Sequence, residues 1–169
     1  MSNEALVKGL LDFIDNSPTA FHAVENICRR LNAEGLTRLT EAEAWSLEPG
    51  RSYYVTRNMS SVIAFRIPRG EASGFRMIAA HSDSPTFKVK ENAELVVRGK
   101  YTQLNVEKYG GMLFAPWFDR PLSLAGRAVV ETDKGVEARL FNIDRDLLVI
   151  PNVAIHMNRD INDGFKYNA

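Results

Sequence analysis

Cys28 is the only cysteine in a chain of 169 residues. No intrachain disulfide can therefore form, and a reducing compartment is the natural setting. Charge of one sign is also missing: twenty-one basic residues meet twenty-one acidic ones. Nucleic acids and anionic membranes call for a clustered positive surface, so neither is expected as a partner. No stretch approaches the ~20 apolar residues of a membrane span. Met1-Ser2-Asn3-Glu4 lacks the basic start and apolar run of a secretory signal. Internal repeats and low-complexity tracts are absent too. These absences point to a cytoplasmic globular protein, and a domain of this length buries about 68–70% of its unfolded surface without staples.

What is present begins with two helical patterns. Leu6, Leu10, Phe13 and Ile14 share a face between Glu4 and Asp15. In SPTAFHAVENICRRLNAEG, Phe21, Val24, Ile27 or Cys28, and Leu31 recur at helical spacing. Ser17 is the expected N-cap, with Pro18 at the first helical position and Gly35 closing the C-terminus. Thr40 and Glu43 fit a capping box for a short third helix. YYVTRN and SVIAFRIP then read as a hairpin turning near Asn58, and FRMIAA as a further, internal strand. After Lys90 only short β-like runs follow. RAVVETDKGVEARLFNI reads as a hairpin turning at Asp133-Lys134-Gly135, with Val136, Ala138 and Leu140 on a half-buried side. The expected organisation is a layered α/β unit over 1–91 and an all-β segment over 92–169.

The chemistry concentrates at IAAHSDSPTFKVK. There an apolar run ends in His81-Ser82-Asp83-Ser84-Pro85. Residues two apart on an extended chain face the same side, so Asp83 can lie beside His81. A neutral imidazole is the commonest zinc ligand, and its second nitrogen needs a partner to fix the tautomer. On spacing alone the stretch reads either as a metal site or as a capped strand end, where Asp and Ser satisfy turn amides. A Ser–His nucleophile pair is the weaker alternative. Ser82 and Ser84 lie too near His81 in sequence, and no oxyanion-hole motif accompanies them.

IAAHSDSPTFKVK resembles the N-terminal metal motif of the M18 family of metallo-aminopeptidases, the aspartyl-aminopeptidase group. NSPTAFHAV, YYVTRNMSSVIAF, YGGMLFAPWFDRPLSLAGRA and IPNVAIHMNRDIN resemble further segments of that family in the same order. The resemblance implies an α/β zinc-peptidase domain followed by part of an inserted all-β lid or dimerisation domain. It makes His81 a zinc ligand and Asp83 the residue of the catalytic centre that orients a ligand or tunes the metal. His156 falls where the family carries a histidine that binds metal or reaches substrate in a partner subunit. Two zinc ions per complete site, peptide substrates with acidic N-terminal residues, and a homo-oligomer are what the family implies. A histidine merely satisfied among β-strands is the plainer reading of His156, with Val153 and Ile155 on the opposite side.

His22 reads as an ordinary surface or boundary residue. Phe114, Trp117 and Phe118 read as packing, and Asp119 and Arg120 as a local ion pair. The family's other acidic ligands, its catalytic glutamate and its last histidine have no counterpart here: no Glu-Glu pair occurs, and the chain ends at DGFKYNA. A catalytic zinc site takes three protein ligands. The expectation is thus an N-terminal portion of an aminopeptidase, inactive alone and holding zinc weakly or not at all. The competing expectation is a non-catalytic self-association module with a vestigial metal motif. Lys88, Lys90 and Arg120 are available to bind an acidic substrate, but no spacing singles one out.

Overall fold

A computed structural model describes residues 2–164. Met1 and the stretch from Phe165 to Ala169, on which parts of the expectations about both ends rest, lie outside the described residues. The chain forms two compact units. One comprises the residues up to Asp83 together with Ala125–Asn142, and the other comprises Ser84–Leu124 and the residues from Ile143 on. The expected boundary at Glu91–Asn92 falls inside a strand of the second unit.

In the first unit, α1 (Asn3–Asp15) is capped by Ser2, whose hydroxyl accepts from the Ala5 amide. Helix α2 spans Ala20–Ala33, and its N-cap is Thr19, which accepts from the His22 amide. The cap expected at Ser17 is thus two residues out: Ser17 and Thr19 are equally suited by chemistry. Ser17 instead receives a hydrogen bond from the Asn26 side chain at 3.1 Å. At the other end Gly35 adopts φ 78°. Its amide reaches Asn32 O and the Leu36 amide reaches Leu31 O, both at 3.0 Å. This closes the last turn as a left-handed cap, a geometry in which a Cβ is costly.

Strands β1 (Thr37–Leu39), β2 (Ser52–Arg57) and β3 (Ser61–Arg66) form a sheet in that order, β1 parallel and β3 antiparallel to β2. The β2–β3 turn is the expected one, with Asn58 and Met59 both at positive φ as the right-handed twist of a hairpin demands. No helix forms at Thr40–Glu43; a turn from Thr40 O to the Glu43 amide stands there instead. The apolar periodicity needed to continue a helix is missing after that cap-like pattern.

Among the described residues, Ala23 and Val24 of α2 and Tyr53, Tyr54 and Val55 of β2 are the buried apolar ones. Tyr54, 1% exposed, donates its hydroxyl to Asn32 Oδ1 at 2.8 Å, which removes the penalty of burying an unpaired O–H. Tyr53 accepts from the Glu48 amide and packs on Phe65. FRMIAA corrects the expectation of an internal strand. It joins no ladder, and Phe75 and Met77 are 93% and 88% exposed. β-Pairing is non-local, so apolar content without a neighbouring strand makes no sheet.

Strands β6 (Ala125–Thr132) and β7 (Gly135–Asn142) form the expected hairpin, turning through Asp133 and Lys134. Its outer strand is wetter than its alternation suggests: Val136 is exposed, and only Leu140 of the three apolar positions is half-buried. Gly126 faces Phe141 across the ladder, and a Cβ there would sit 3.3 Å from the ring. Arg127 holds the hairpin on α2 and the β2–β3 turn.

The second unit is built on a long hairpin of β4 (Thr86–Val97) and β5 (Tyr101–Tyr109), with a register shift between Val89 and Glu94. Phe87 stacks on Phe114 and meets Trp117 edge-on, at 5.9 and 5.4 Å between centroids. These aromatics pack, as expected. Among the remaining described residues Phe118 bridges to Ile150 and Leu122 to Leu148. Ser123 Oγ donates to Ile143 O.

Candidate metal centre

The stretch from Phe75 to Pro85 runs without regular secondary structure. Ser82 Oγ donates to Ser60 O at 2.8 Å and so ties this stretch to the β2–β3 turn. That tether was not legible in the sequence, because a serine in a polar loop carries no signal of its partner.

One residue on either side of Ser82, the two candidate residues meet. His81 Nδ1 lies 2.8 Å from Asp83 O and 3.1 Å from Asp83 Oδ1. Both acceptors favour the tautomer that carries its proton on Nδ1, which leaves the Nε2 lone pair for a Lewis acid. The His81 side chain is 81% exposed and that of Asp83 41%. The ring is therefore wet rather than lodged among apolar side chains.

This donor set fits a divalent metal in part. An imidazole with Nδ1 held by a carboxylate is the arrangement that orients a metal-ligating histidine. A structural or catalytic zinc takes three or four protein ligands. Among the described residues no group of three or more His, Cys, Asp or Glu side chains stands where it could share an ion. His81 and Asp83 offer one imidazole nitrogen with its ring oriented by a carboxylate.

His156 belongs to the second unit. It sits in a single 3-10 turn, Ile155–Met157, and is exposed. The alternation expected from a strand does not apply, because Val153, Ile155 and Met157 are exposed as well. The segment is anchored at Asn152, whose amide and side-chain Nδ2 donate to Asp119 Oδ1 and Oδ2 at 2.9 and 2.7 Å. Those donors, the backbone amide first and the side-chain amide second, hold the Asp119 carboxyl below the usual carboxylate range. The expected Asp119–Arg120 ion pair does not form: Arg120 reaches Pro116 O instead. Adjacent residues on extended chain diverge, and Asp119 turns back through a φ of 54°.

His22, expected as a surface or boundary residue, is half-buried. Its Nδ1 lies 2.8 Å from Thr19 Oγ1. Burial pushes its pKa below the ordinary 6.5, with Glu25 opposing the shift and Arg29 adding to it. An open cleft of about 550 Å³ lies beside it, lined also by Met59 and residues 138–140 of β7.

Comparison with known proteins gives this geometry its setting. The family model for aminopeptidase I zinc metalloproteases (M18) matches residues 13–169, and the chain belongs to the M18 peptidase family. It is 52% identical over 166 residues to a probable M18 family aminopeptidase 2 of Pseudomonas paraeruginosa (strain DSM 24068 / PA7), covering 97% of this chain and 38% of that protein. It is 48% identical over 163 residues to a protein of the same name from Clostridium novyi (strain NT), covering 94% and 38%. Its fold matches the structure of Chaetomium thermophilum mApe1 with a TM-score of 0.84 at 34% identity, over 92% of this chain and 36% of that one. The chain thus spans well under half the length of the relatives it matches.

Proposed function

We propose that the protein to which this chain contributes is a zinc-dependent aminopeptidase that removes N-terminal residues, acidic ones in particular, from peptides. The observation that carries this reading is the pairing of His81 Nδ1 with the Asp83 carboxylate and carbonyl, in a chain that belongs to the M18 family. His81 would hold the metal through Nε2, since Nδ1 is engaged by Asp83. Asp83 holds the ring in the required tautomer and strengthens Nε2 as a donor. Zinc held there would supply the Lewis acidity that activates water and polarises a peptide carbonyl. His156 contacts substrate, or completes a metal site, from the lid.

On this reading the residues up to Glu91 contribute to the catalytic domain and those from Asn92 to the lid, with the β6–β7 hairpin returning to the first unit. The further ligands and the general base come from polypeptide beyond this chain, as the 38% share of the relatives' length allows. The 169 residues alone turn over no peptide and hold zinc weakly. The whole protein works as a homo-oligomer in the cytoplasm. No helix among the described residues is long and apolar enough to cross a membrane.

The test is His81→Ala in the whole aminopeptidase, with zinc content, folding and hydrolysis of acidic aminoacyl substrates measured together. Loss of turnover beyond the ~10–100-fold that removing an outer partner costs, in a folded protein, supports the ligand role. Undiminished hydrolysis and zinc content in that variant refutes it. A wild-type protein that neither binds zinc nor cleaves peptides leaves the self-association module as the surviving reading.

A further inference from the structure

Asp119, expected to pair with Arg120, is engaged elsewhere. It is exposed and its backbone is left-handed, φ 54°, a conformation that costs an L-residue and persists only where its surroundings impose it. Three hydrogen bonds impose it here. The Asp119 amide donates to Ile150 O at 3.0 Å, Asn152 N donates to Oδ1 at 2.9 Å, and Asn152 Nδ2 donates to Oδ2 at 2.7 Å. Phe118 and Ile150 also pair as a parallel bridge. The carboxylate thus uses both oxygens on one residue, and that residue opens the segment carrying His156.

Beyond Asn152 the backbone bonds are short-range: Met157 N to Ala154 O at 2.8 Å and Asn158 N to Ile155 O at 3.2 Å. Among the described residues, these backbone bonds close the 3-10 turn within its own short segment. His156 is exposed on that turn. An exposed side chain on a single turn is held in direction only as well as the chain entering the turn is held. The Asp119–Asn152 clamp is the anchor on that side.

We propose that Asp119 is the positioning residue for His156: its carboxylate fixes Asn152, and through it the turn that presents the imidazole. The inference rests on the reading that His156 contacts substrate. An ionised acceptor suits the task, because charge-assisted bonds are shorter and roughly twice as strong as neutral ones. A clamp made of one aspartate and one asparagine also predicts its own repair. In the exchanged pair D119N/N152D, the side-chain amide placed at position 119 still accepts, through its oxygen, from the backbone amide of residue 152. Its nitrogen donates to the carboxylate placed at position 152.

The experiment uses the whole aminopeptidase and compares H156A, D119A, N152A, the double variant D119A/H156A and the exchanged pair. Circular dichroism and subunit mass serve as folding controls. If His156 acts on bound substrate, H156A raises KM about tenfold with kcat little changed, and D119A and N152A reproduce that split. The double variant is then no worse than H156A within about twofold, because both changes remove one function. The exchanged pair returns to within about threefold of wild type. Should D119A fail to fold, N152A, which keeps the Asp119 amide bond and the backbone bond to Oδ1, is read in its place. Wild-type kinetics in D119A and N152A beside an impaired H156A overturns the positioning role and leaves the His156 reading standing. Additive losses in the double variant overturn it as well. A silent H156A removes the substrate role of His156 itself, and the positioning role with it.

Discussion

The guanidinium of Arg127 lies 4.4 Å from the centroid of the Phe21 ring. The same side chain donates from Nη1 to Asn58 O at 2.8 Å and to Asn58 Oδ1 at 2.9 Å. One residue of the β6–β7 hairpin thereby bridges helix α2 and the β2–β3 turn, across nearly seventy positions of sequence. This contact explains why a hairpin late in the chain belongs to the first unit.

Arg127→Ala removes one cation–π contact and two hydrogen bonds at a half-buried site. The expected cost is about 1–2 kcal/mol, taking roughly 0.5–1 for the ring contact and under 1 for each exposed bond. Hydrogen exchange locates it. The amides of β6 and β7 should exchange faster, while those of β2, beneath Tyr53 to Val55, change little. Uniform acceleration through the whole unit contradicts this division.

Asp83→Ala removes one of the two acceptors on His81 Nδ1 and leaves the backbone carbonyl at position 83. Nitrogen-15 chemical shifts of the His81 ring report the tautomer. The expected outcome is a larger Nε2–H population in the variant and, in the whole protein, zinc affinity about 10–100-fold lower. Identical ring shifts in wild type and variant mean that the carboxylate does not set the tautomer.

His22 supplies the pH dependence. Its folded pKa lies below the ordinary 6.5 because burial disfavours the charged ring, and the nearby Arg29 adds to that. Between the folded value and 6.5 the unfolded chain binds more protons than the folded one, so stability rises with pH through that window. His22's contribution is fully present above 6.5 and is lost as pH falls toward the folded value. His22→Gln should flatten the pH dependence of thermal stability just below pH 6.5. An unchanged slope assigns that dependence to other groups.

Local chemistry was readable wherever the signal was local. The Gly35 cap, the turn at Asn58, the hairpin at Asp133-Lys134 and the adjacency of His81 and Asp83 each follow from a few neighbouring residues with one inexpensive arrangement. Reading failed where two neighbours offered the same chemistry, as Ser17 and Thr19 do for a cap. It failed again where a pattern lacked its continuation, as after Thr40. β1 escaped notice because three residues, Thr37–Leu39, carry no periodicity.

From its residues alone this chain determined two amphipathic helices, the hairpins at Asn58 and at Asp133-Lys134, and an imidazole with a carboxylate two positions on, in an order shared with the M18 family. Only the tertiary structure decided that Asp119 clamps Asn152, that Ser82 is tied to Ser60, that Arg127 returns a late hairpin to α2, and that Phe75 and Met77 stand outside any sheet in solvent. The reason is physical: turns, caps and faces are settled by residues within a few positions of one another. Hydrogen bonds and strand pairs between distant segments depend on which partners the folded chain brings within about 3 Å, and that no local pattern encodes.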